Sequence, residues 1–562
     1  MNKRWTLKSL PDTDIVTSLQ DNLGVSEVIA TLLAQRSVTD FEQAKIFFRP
    51  ELSHLHDPFL MMDMDKAVQR LSNAIEQQEK ILVYGDYDVD GTTAVSLMYL
   101  FLTKFTNKVA YYIPDRYNEG YGVSYKGIEY AQSNGFTLVL CLDCGIKAIE
   151  KVAYAKSIGI DFIICDHHRP GASIPNAVAV LDPKRDDCHY PFDELSGCGV
   201  GFKLIQAYYQ QHDLSFEDLI PMLDLVVISI AADIVPMVGE NRTLSYFGLK
   251  QLNSSARCGL KALMQLSNRN EVFNISDIVF GIAPRINAAG RIEHGNKAVE
   301  LLIQEDFSLA KAQAEYIDKH NSSRKELDHT ISKQALEMVI PNAKSTVVYS
   351  ANWHKGVVGI VASRIIETHY RPTIVLTESH GKWTGSARSV IGFDVYDAID
   401  QCSDLLEQFG GHKYAAGLTL KKENLQAFIE RFEKVVCESI SDELLIPQVN
   451  IDLCISLNQL TPKMFRIIQQ MAPFGPSNPK PVFMFKGVID NGQGRIIGNE
   501  QTHLKLAISE TNSTQVFDGI AFGMAHYYSK IKDHNTFDVC FVIEENEWNG
   551  SRRLQLRIKD IQ

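Results

Sequence analysis

The sequence has no hydrophobic run long enough to cross a membrane. Its longest largely apolar stretch, 225–232, is eight residues long and ends at Asp233, whereas a membrane-spanning helix needs about 20 residues. The first residues, MNKRWTLKSLPDTD, include basic side chains but lack the apolar segment of a signal peptide. We therefore expect a cytoplasmic protein that does not associate with membranes.

Cysteine is sparse, and positive charge is in deficit. Ten cysteines in 562 residues, of which only Cys141 and Cys144 form a C-x-x-C pair, exclude a disulfide framework and indicate reduced thiols. Lys and Arg total 56 against 68 Asp and Glu, a net charge of −12. Any contact with nucleic acid must therefore depend on local basic patches, and the excess of carboxylates can also indicate divalent-cation binding.

The composition supports several globular domains, since 45% of the 562 residues are hydrophobic and 22% are charged. Between residues 80 and 182, short apolar runs alternate with helix-like segments, and this alternation predicts an α/β fold with a parallel sheet. The predicted strands are ILVY at 81–84, VAYYI at 109–113, TLVLCL at 137–142, FIIC at 162–165 and AVAVL at 177–181. We expect functional residues directly after these runs, because ligands bind beyond the carboxyl ends of the strands in such sheets.

Other stretches of the chain have different patterns. Residues 1–60 are predicted to be helical, and residues 306–340, which contain no Pro or Gly, predict one or two long connecting helices. A second α/β segment starts with STVVYS at 345–350, and a β-rich region occupies residues 450–562.

The strongest chemical signal is YGDYDVDGTT at 84–93, where Asp86, Asp88 and Asp90 directly follow the first strand. Three carboxylates this close repel one another and need cations or hydrogen-bond donors. The spacing matches the first half of an EF-hand loop, but Leu97 stands where that loop needs Glu, and a strand rather than a helix precedes it. A phosphate-binding P-loop is excluded because no Lys follows the glycine.

Further acids and histidines follow the later apolar runs. They are Asp143, Asp166, His167, His168 and Asp233. Singly, each has an ordinary structural explanation as a helix cap or a hydrogen-bonded core histidine. Together, at the carboxyl ends of neighbouring strands, they predict a site for Mn²⁺ or Mg²⁺, and two such ions would suit phosphoester hydrolysis. The alternative, a zinc site built from Cys141, Cys144 and Cys165 with a histidine, is disfavoured because there is no second C-x-x-C pair.

In this order the acids and histidines resemble the DHH phosphoesterase superfamily, and within it the chain resembles the RecJ family of bacterial single-strand-specific 5′→3′ exonucleases. Further motifs carry the resemblance, which covers the chain from about residue 60 to the end. They are APRINAAGR at 283–291, WHKGVVGIVASR at 353–364, GSARS at 385–389, FGGHKYAAG at 409–417 and APFGPSNPKPVF at 472–483.

The resemblance implies a particular α/β architecture: a parallel-sheet DHH domain, a long connecting helix, an α/β DHHA1 domain and a C-terminal β-barrel of the OB-fold type. The expected boundaries are 1–60 for an N-terminal helical segment, 61–265 for the DHH catalytic domain, 266–341 for the connecting helical region, 342–440 for the DHHA1 domain and 448–562 for the OB-fold DNA-binding domain.

The resemblance also implies roles for single residues. The expected metal ligands are Asp88, Asp90, Asp143, His167 and Asp233. Among these, Asp143 is expected to bridge two ions, Asp88 shares its catalytic role, and His168 faces the scissile phosphate. The superfamily has a histidine where this chain has Tyr84, so it stays open whether Asp86 is a further metal ligand.

A single-strand nuclease needs cationic side chains for phosphates and aromatic faces for bases. The expected substrate-binding residues are Arg116, Tyr121, Arg285, Arg291, His354, Arg364, Ser386, Arg388 and His412, with Tyr117 on the same loop as Arg116. Of these, Arg285, Ser386 and Arg388 resemble the family's pocket for a 5′-phosphate. Each arginine could equally be a surface ion-pair partner. The last strand, SRRLQLRIKD at 551–560, alternates basic and apolar residues, so its basic face could extend a DNA track.

We therefore predict a Mn²⁺- or Mg²⁺-dependent exonuclease that removes nucleotides from the 5′ end of single-stranded DNA in recombination and repair. It is expected to be a monomer, with a single-strand-binding protein and a helicase as candidate partners. One alternative is a DHH phosphodiesterase of short oligonucleotides or nucleotide second messengers, which would not require the β-rich C-terminal region. Another is an inactive replication scaffold of the same fold, which the intact acids disfavour.

Overall fold

A computed structural model describes residues 3–562 except 117, 268–271, 293, 512 and 549–550. By its internal contacts the chain divides into two compact units. Unit I comprises Lys45–Ser323 and Met471–Pro479, and unit II comprises Met1–Ala44, Arg324–Gln470 and Lys480–Gln562.

The predicted parallel sheet forms the centre of unit I. Its strands, in spatial order, are Val109–Tyr112, Ile81–Gly85, Leu138–Leu142, Asp161–Cys165 and Ala179–Leu181. All neighbours pair in parallel. Successive side chains point to opposite faces, so Ile81 and Val83 enter one apolar core while Leu82 and Tyr84 enter another. Burial on both faces confirms the α/β prediction.

Helices cover the two faces of this sheet and supply most of both cores. The α-helices of unit I are Met64–Glu76, Val89–Leu102, Tyr125–Ser133, Ile149–Ser157, Gly197–Gln211, Leu223–Ala232, Gly239–Ser255, Cys258–Leu266, Ile275–Asp277, Ala283–Ile292 and Asn296–Leu302, with 3-10 turns at Leu52–His54, Pro58–Leu60 and Phe216–Met222. A π-helix, Ile278–Ile282, lies directly before Ala283–Ile292.

One continuous helix, Phe307–Glu337, occupies the stretch predicted to connect the two α/β segments. Its 31 residues begin in unit I and end in unit II. The predicted long connecting helix is therefore confirmed, as a single helix.

Unit II contains a mixed sheet and a β-barrel. The mixed sheet has the strand order Leu406–His412, Ala415–Leu420, Lys382–Arg388, Thr373–Ser379 and Thr346–Tyr349, with helices Val358–Thr368, Val395–Asp400 and Leu425–Ser439. The barrel strands follow the order Leu453–Cys454, Phe483–Asp490, Phe537–Trp548, Ser551–Ile561, Phe517–Ala521, His503–Ser509 and Arg495–Ile497, with helices Pro462–Gln470 and Tyr528–Ile531. Phe483–Asp490 pairs with both Phe537–Trp548 and His503–Ser509, which closes the barrel.

The N-terminal segment departs from its prediction as purely helical. Its helices are Thr13–Leu23, Glu27–Ala34 and Phe41–Phe48, but Arg4–Leu7 is a strand that pairs in parallel with Gln448–Ile451. A four-residue strand whose partner is distant in sequence leaves little local pattern, so the prediction missed it. Across the described part of the chain, no helix is both long enough and apolar enough to span a membrane.

Candidate metal centre and phosphate-binding residues

The first acidic motif forms the turn between a strand and a helix. Strand Ile81–Gly85 ends directly before Asp86, and Asp88 caps helix Val89–Leu102 by accepting a hydrogen bond of 3.0 Å from the backbone N–H of Gly91. A side chain at Gly91 would collide with the backbone of Asp86, since an added Cβ would lie 2.5 Å from its carbonyl oxygen. The turn therefore requires glycine, and it holds the three carboxylates at the carboxyl edge of the sheet.

Asp90 is fixed by donors from two other helices. Its Oδ2 accepts from the backbone N–H of Gly197 and its Oδ1 from that of Cys198, each at 2.7 Å, at the N-terminus of helix Gly197–Gln211. The Ser229 hydroxyl also donates to Oδ1 at 2.7 Å. Motif reasoning missed these donors, because backbone N–H groups leave no residue signature, although the small residues of SGCG at 196–199 fit such close packing.

Three predicted acidic ligands meet around the ring of a fourth predicted ligand, His167. Its Nε2 lies 3.2 Å from Asp143 Oδ1 and 3.6 Å from both Asp90 Oδ2 and Asp233 Oδ2. Asp233 reaches this point from the C-terminal end of helix Leu223–Ala232 rather than from a strand. The cluster thus combines strand ends with two helix ends, since Asp90 lies in the first turn of helix Val89–Leu102.

The ordinary structural explanations of these residues do not hold. Asp143 does not cap the next helix, whose N-cap is Ala148, and Asp233 is a C-cap rather than an N-cap. Both ring nitrogens of His167 are buried, and neither has a hydrogen-bond partner among the described residues. Asp143 Oδ1 and both carboxylate oxygens of Asp86 are likewise buried and accept no well-aligned hydrogen bond from the described residues, although the backbone N–H groups of Tyr87 and Gly122 lie near Asp86 and lower its pKa against the dominant effect of burial.

The electrostatics of the cluster favour added cations. Burial, together with repulsion from Asp90 and Asp88, holds the pKa of Asp143 well above its usual value. Burial and the neighbouring Asp88 raise the pKa of Asp86 in the same direction. Burial, and after it repulsion from Asp90 and Asp88, raises the pKa of Asp233 to about 8. Divalent cations would reverse these shifts, because positive charge favours the ionised carboxylates.

Two overlapping groups of side chains have the spacing to hold a metal ion. They are Asp143, His167 and His168, and Asp90, His167 and Asp233. Neither group, nor any other among the described residues, includes a cysteine. Carboxylate and imidazole ligands suit Mn²⁺ or Mg²⁺ better than soft metals, and the zinc alternative gains no support.

His168 is held in place by Asp166, which also favours its protonated form. Asp166 Oδ1 lies 2.8 Å from the Nδ1 of His168 and accepts from the backbone N–H groups of His167 and His168, while its Oδ2 accepts from that of Ile146. Burial opposes charge on His168, but the hydrogen bond to Asp166 and the nearby acids Asp233 and Asp88 raise its pKa to about 9. Its Nε2 lies 3.1 Å from the Tyr121 hydroxyl. The side chain can therefore present positive charge beside the cluster.

Tyr84, the departure from the superfamily pattern, has a structural role. Its buried hydroxyl donates to the Gly122 carbonyl at 3.0 Å and accepts from the backbone N–H of Ser124 at 3.1 Å. Its ring stacks on Tyr112. Tyr84 thus anchors the end of the loop that carries Arg116 and Tyr121.

The predicted substrate residues of unit I differ in their availability. The Arg116 guanidinium lies 5.0 Å from the centre of the Tyr87 ring. Burial raises the pKa of Tyr87 to about 12, and the positive charges of Arg116 and Arg291 oppose this increase, so both arginines lie near that ring. Arg285 instead donates through all three of its nitrogens, to Asp318 and to the carbonyls of Gly281 and Leu266. Its side chain is therefore committed to protein acceptors. Tyr117 lies outside the described residues.

In unit II, Arg388 and Ser386 lie beside the start of a helix. Arg388 Nη1 donates to Ser386 Oγ at 2.7 Å, and no carboxylate of the described residues lies within ion-pair distance of its guanidinium. Burial alone lowers its pKa. An added Cβ at Gly359, in the first turn of helix Val358–Thr368, would lie 3.0 Å from Arg388 Nη2 and 3.1 Å from Ser386 Oγ. A cation without an acidic partner, a hydroxyl and a helix N-terminus together suit an anion.

The remaining predicted residues of unit II lie in three different settings. Arg364 is ion-paired with the buried Asp328 at 2.7 Å. His354 accepts at Nδ1 from the backbone N–H of Gly356, directly before helix Val358–Thr368. His412 is exposed at the end of strand Leu406–His412.

Family models match three parts of the chain. A model of the DHH family N-terminal domain matches residues 80–230, a DHHA1 domain model matches 342–438, and a RecJ OB domain model matches 451–560. The order of these matches confirms the predicted fold class.

Curated proteins and solved structures extend the likeness to the whole chain. The single-stranded-DNA-specific exonuclease RecJ of Bacillus subtilis is 38% identical over 99% of this chain and 70% of its own, and that of Dickeya dadantii is 32% identical over the full length of both. A crystal structure of RecJ in complex with Mn²⁺ from Thermus thermophilus has a TM-score of 0.86 at 27% identity and covers 100% of this chain and 79% of its own. A structure of the same protein with Mg²⁺ has a TM-score of 0.81 at 26% identity, covering 100% and 78%. This chain belongs to the RecJ family.

Proposed function

We propose that this protein is a metal-dependent exonuclease that hydrolyses single-stranded DNA from its 5′ end and acts in DNA recombination and repair. The observation that carries the proposal is the meeting of Asp90, Asp143 and Asp233 around the ring of His167, which has no hydrogen-bond partner among the described residues. Its relatives in Bacillus subtilis and Dickeya dadantii are single-stranded-DNA-specific exonucleases, which supports the same substrate and reaction here.

The residues of the centre would share the work as follows. Asp88, Asp90, Asp143, His167 and Asp233 would hold two ions, either Mn²⁺ or Mg²⁺. Asp143 would bridge them, since it is the acid closest to His167 and also contacts Asp88. Asp86, whose buried carboxylate oxygens accept no well-aligned hydrogen bond from the described residues, is the candidate for a further ligand. When bound, divalent cations would lower the pKa of a nearby water molecule and neutralise negative charge on the phosphoryl group.

Protein side chains would orient the substrate and stabilise charge. His168, protonated at neutral pH, would donate to the scissile phosphate, with Asp166 holding its ring and Tyr121 contacting its other nitrogen. Such a donor is most effective when the charge on the phosphate increases in the transition state.

Polarity requires a pocket that recognises one end of the strand. Arg388, Ser386 and the helix start near Gly359 are the best candidates for binding a 5′-phosphate, because the guanidinium has no acidic partner among the described residues. Arg116 and Arg291, on unit I, are candidates for backbone phosphates. Arg285 and Arg364 are left out, since protein carboxylates already bind them.

The test uses oligonucleotides labelled at either end, single- or double-stranded, with Mn²⁺, Mg²⁺ or a chelator. Mononucleotides should be released from the 5′ end of single strands only and only with metal, and Asp143→Asn should abolish release. A dinucleotide or cyclic dinucleotide substrate tests the small-molecule phosphodiesterase alternative in the same assay. Metal-independent or 3′-initiated release would contradict the proposal, and inactivity with tight DNA binding would favour the scaffold.

Three further proposals, on location, oligomeric state and protein partners, are supported by membership of the RecJ family alone. These are action in the cytoplasm as a monomer, with a single-strand-binding protein and a helicase as partners.

A further inference from the structure

An apolar cavity of unit I, which has no role in the chemistry above, is lined in part by residues that flank the predicted ligand Asp233 in the sequence. It has a volume of about 170 Å³. Its walls are formed by Ile230, Ala231, Ile234, Met237, Ile275, Ser276, Val279, Phe280, Phe474, Gly475 and Pro476. Of the described side chains that line it, only that of Ser276 carries a hydrogen-bonding group, and none is charged. The cavity therefore suits an apolar surface rather than an ion.

Phe280 is unusually placed for a large aromatic residue. Its side chain is 80% exposed, although it lies within the apolar stretch Ile278–Ile282. That stretch is a π-helix, a conformation that is rare and often found at functional sites. An exposed ring held on such a turn is available for contact with a ligand.

Ile234 forms the wall next to the metal centre, because it directly follows the predicted ligand Asp233. Its φ is 60°, in the left-handed region that β-branched residues strongly disfavour, and its side chain is 63% exposed. Backbone strain of this kind persists where the surroundings impose it, and it is frequent at ligand sites. An apolar side chain is thus exposed at the residue directly after Asp233.

We propose that this cavity is a stacking subsite for one nucleobase of the single-stranded substrate, with Phe280 as the stacking face and Ile234 as the opposite wall. The inference rests on the proposed function, since a phosphodiester bound at the metal centre, of which Asp233 is a proposed ligand, brings a base with it. The cavity adjoins that acid through Ile234, and a nucleobase has the apolar faces that its walls can cover. With few polar groups in the walls, the subsite would accept any base, as sequence-independent digestion requires.

Scanning a short 5′-phosphorylated oligonucleotide with a single abasic residue, placed at each position in turn, tests this subsite. Wild type should lose kcat/KM by about 5- to 150-fold at one position near the scissile bond, the usual range for a lost base–aromatic stack. Phe280→Ala should be slower on the normal strand and insensitive to the abasic residue at that position. Phe280→Trp should restore the sensitivity. Tyr246→Ala, which removes another exposed aromatic ring of unit I that does not line the cavity, should behave like wild type.

A binding readout separates this inference from the proposed function. With 2-aminopurine placed at each position of the oligonucleotide in turn and a chelator present, stacking should quench the fluorescence at one position on wild type and Phe280→Trp but not on Phe280→Ala. The subsite would be overturned if the abasic residue lowered kcat/KM of the wild type at no position. It would also be overturned if Phe280→Ala kept both the loss of kcat/KM and the fluorescence quenching. Absence of metal-dependent hydrolysis with quenching intact would instead overturn the nuclease and keep the base-binding cavity.

Discussion

At the scale of single residues, Asp143 shows why the site calls for metal. Its Oδ1 is buried without a hydrogen-bond partner among the described residues, 3.2 Å from the His167 ring, and neighbouring acids add to burial in raising its pKa. In the absence of cations, the cluster favours the protonated carboxyl, and this opposes the native arrangement at neutral pH. A ligand that binds only the folded state stabilises it.

Mn²⁺ should therefore raise the thermal unfolding midpoint of the wild type, with a stabilisation of about 2.7 kcal/mol at a hundredfold excess over Kd. Asp143→Asn should lose most of this increase, because it removes the proposed bridging carboxylate. In a chelator the variant should be at least as stable as wild type, since one of the mutually repelling acids is gone. Differential scanning calorimetry measures both effects, and Asp65→Asn, at an exposed acid, is the control. A normal Mn²⁺ response of Asp143→Asn would exclude it as a ligand.

Arg388 should determine the preference for a phosphorylated end. Because it has no acidic partner among the described residues, a terminal phosphate dianion would supply the missing charge. Arg388→Ala should cost about 1.5 to 3 kcal/mol in transition-state binding, mainly on 5′-phosphorylated substrate. The measurement is the ratio of kcat/KM for 5′-phosphate and 5′-hydroxyl ends, with Arg431→Ala, at an exposed arginine, as the control. Equal slowing on both ends would place Arg388 on the strand backbone instead.

At the scale of structural elements, local pattern decided what could be predicted. The strands of unit I were predictable because both of their faces are buried, which makes them continuous apolar runs. Strand Arg4–Leu7 was not predictable, because only its distant partner makes it a strand. The acids and histidines could be gathered from strand ends, but nothing in APRINAAGR reveals that Arg285 pairs with Asp318 on the following long helix. Contacts distant in sequence were the part that residue patterns could not supply.

One short element, Met471–Pro479, lies in the C-terminal part of the sequence but packs within unit I. The buried guanidinium of Arg242 donates to the carbonyls of Met471, Ala472 and Pro473 and to that of Phe47. The backbone N–H of Met237 also donates to the Pro476 carbonyl at 2.7 Å. One arginine thus holds most of the segment's first turn.

Arg242→Met should consequently destabilise unit I by about 2 to 6 kcal/mol. Asn478 still donates to two of the four carbonyls, so the carbonyls of Phe47 and Ala472 would lose their donor, at about 1 to 3 kcal/mol each. Urea unfolding is the measurement, and Lys250→Met on the exposed face of the same helix should change stability little. Equal stability of both variants would show that the segment is held by its apolar contacts.

At the scale of the whole molecule, binding of a polyanion has to overcome a net charge of −12. Basic side chains must then act locally, and the last barrel strand, Ser551–Ile561, offers one such group. Arg553 and Arg557 are both exposed on it, and the Arg557 guanidinium lies 5.7 Å from the centre of the Phe522 ring. Arg557 also lies 3.4 Å from the Glu544 carboxylate, but this ion pair is solvent-exposed and therefore weak, unlike the pair of Arg364 with the buried Asp328. A cation beside an aromatic face is typical of single-strand binding surfaces.

Deleting the barrel is not a clean test of this surface. A truncation at residue 448 would also remove Met471–Pro479 from unit I and the partner of strand Arg4–Leu7. Substituting the two arginines leaves both intact, since neither side chain takes part in those contacts.

Arg553→Ala/Arg557→Ala should weaken binding to a long single strand and reduce the salt dependence of that binding. Each phosphate contact on a single strand contributes about 0.7 to the slope of log K against log salt concentration, so two lost contacts should lower its magnitude by about 1.4. Cleavage of a hexanucleotide should be unaffected if such a strand is too short to reach the barrel. Fluorescence anisotropy at several salt concentrations gives the slopes, with Lys434→Ala, at an exposed lysine outside the barrel, as the control. An unchanged slope on the long strand would show that the barrel's basic face is a solvated surface, and that strand binding depends on other residues.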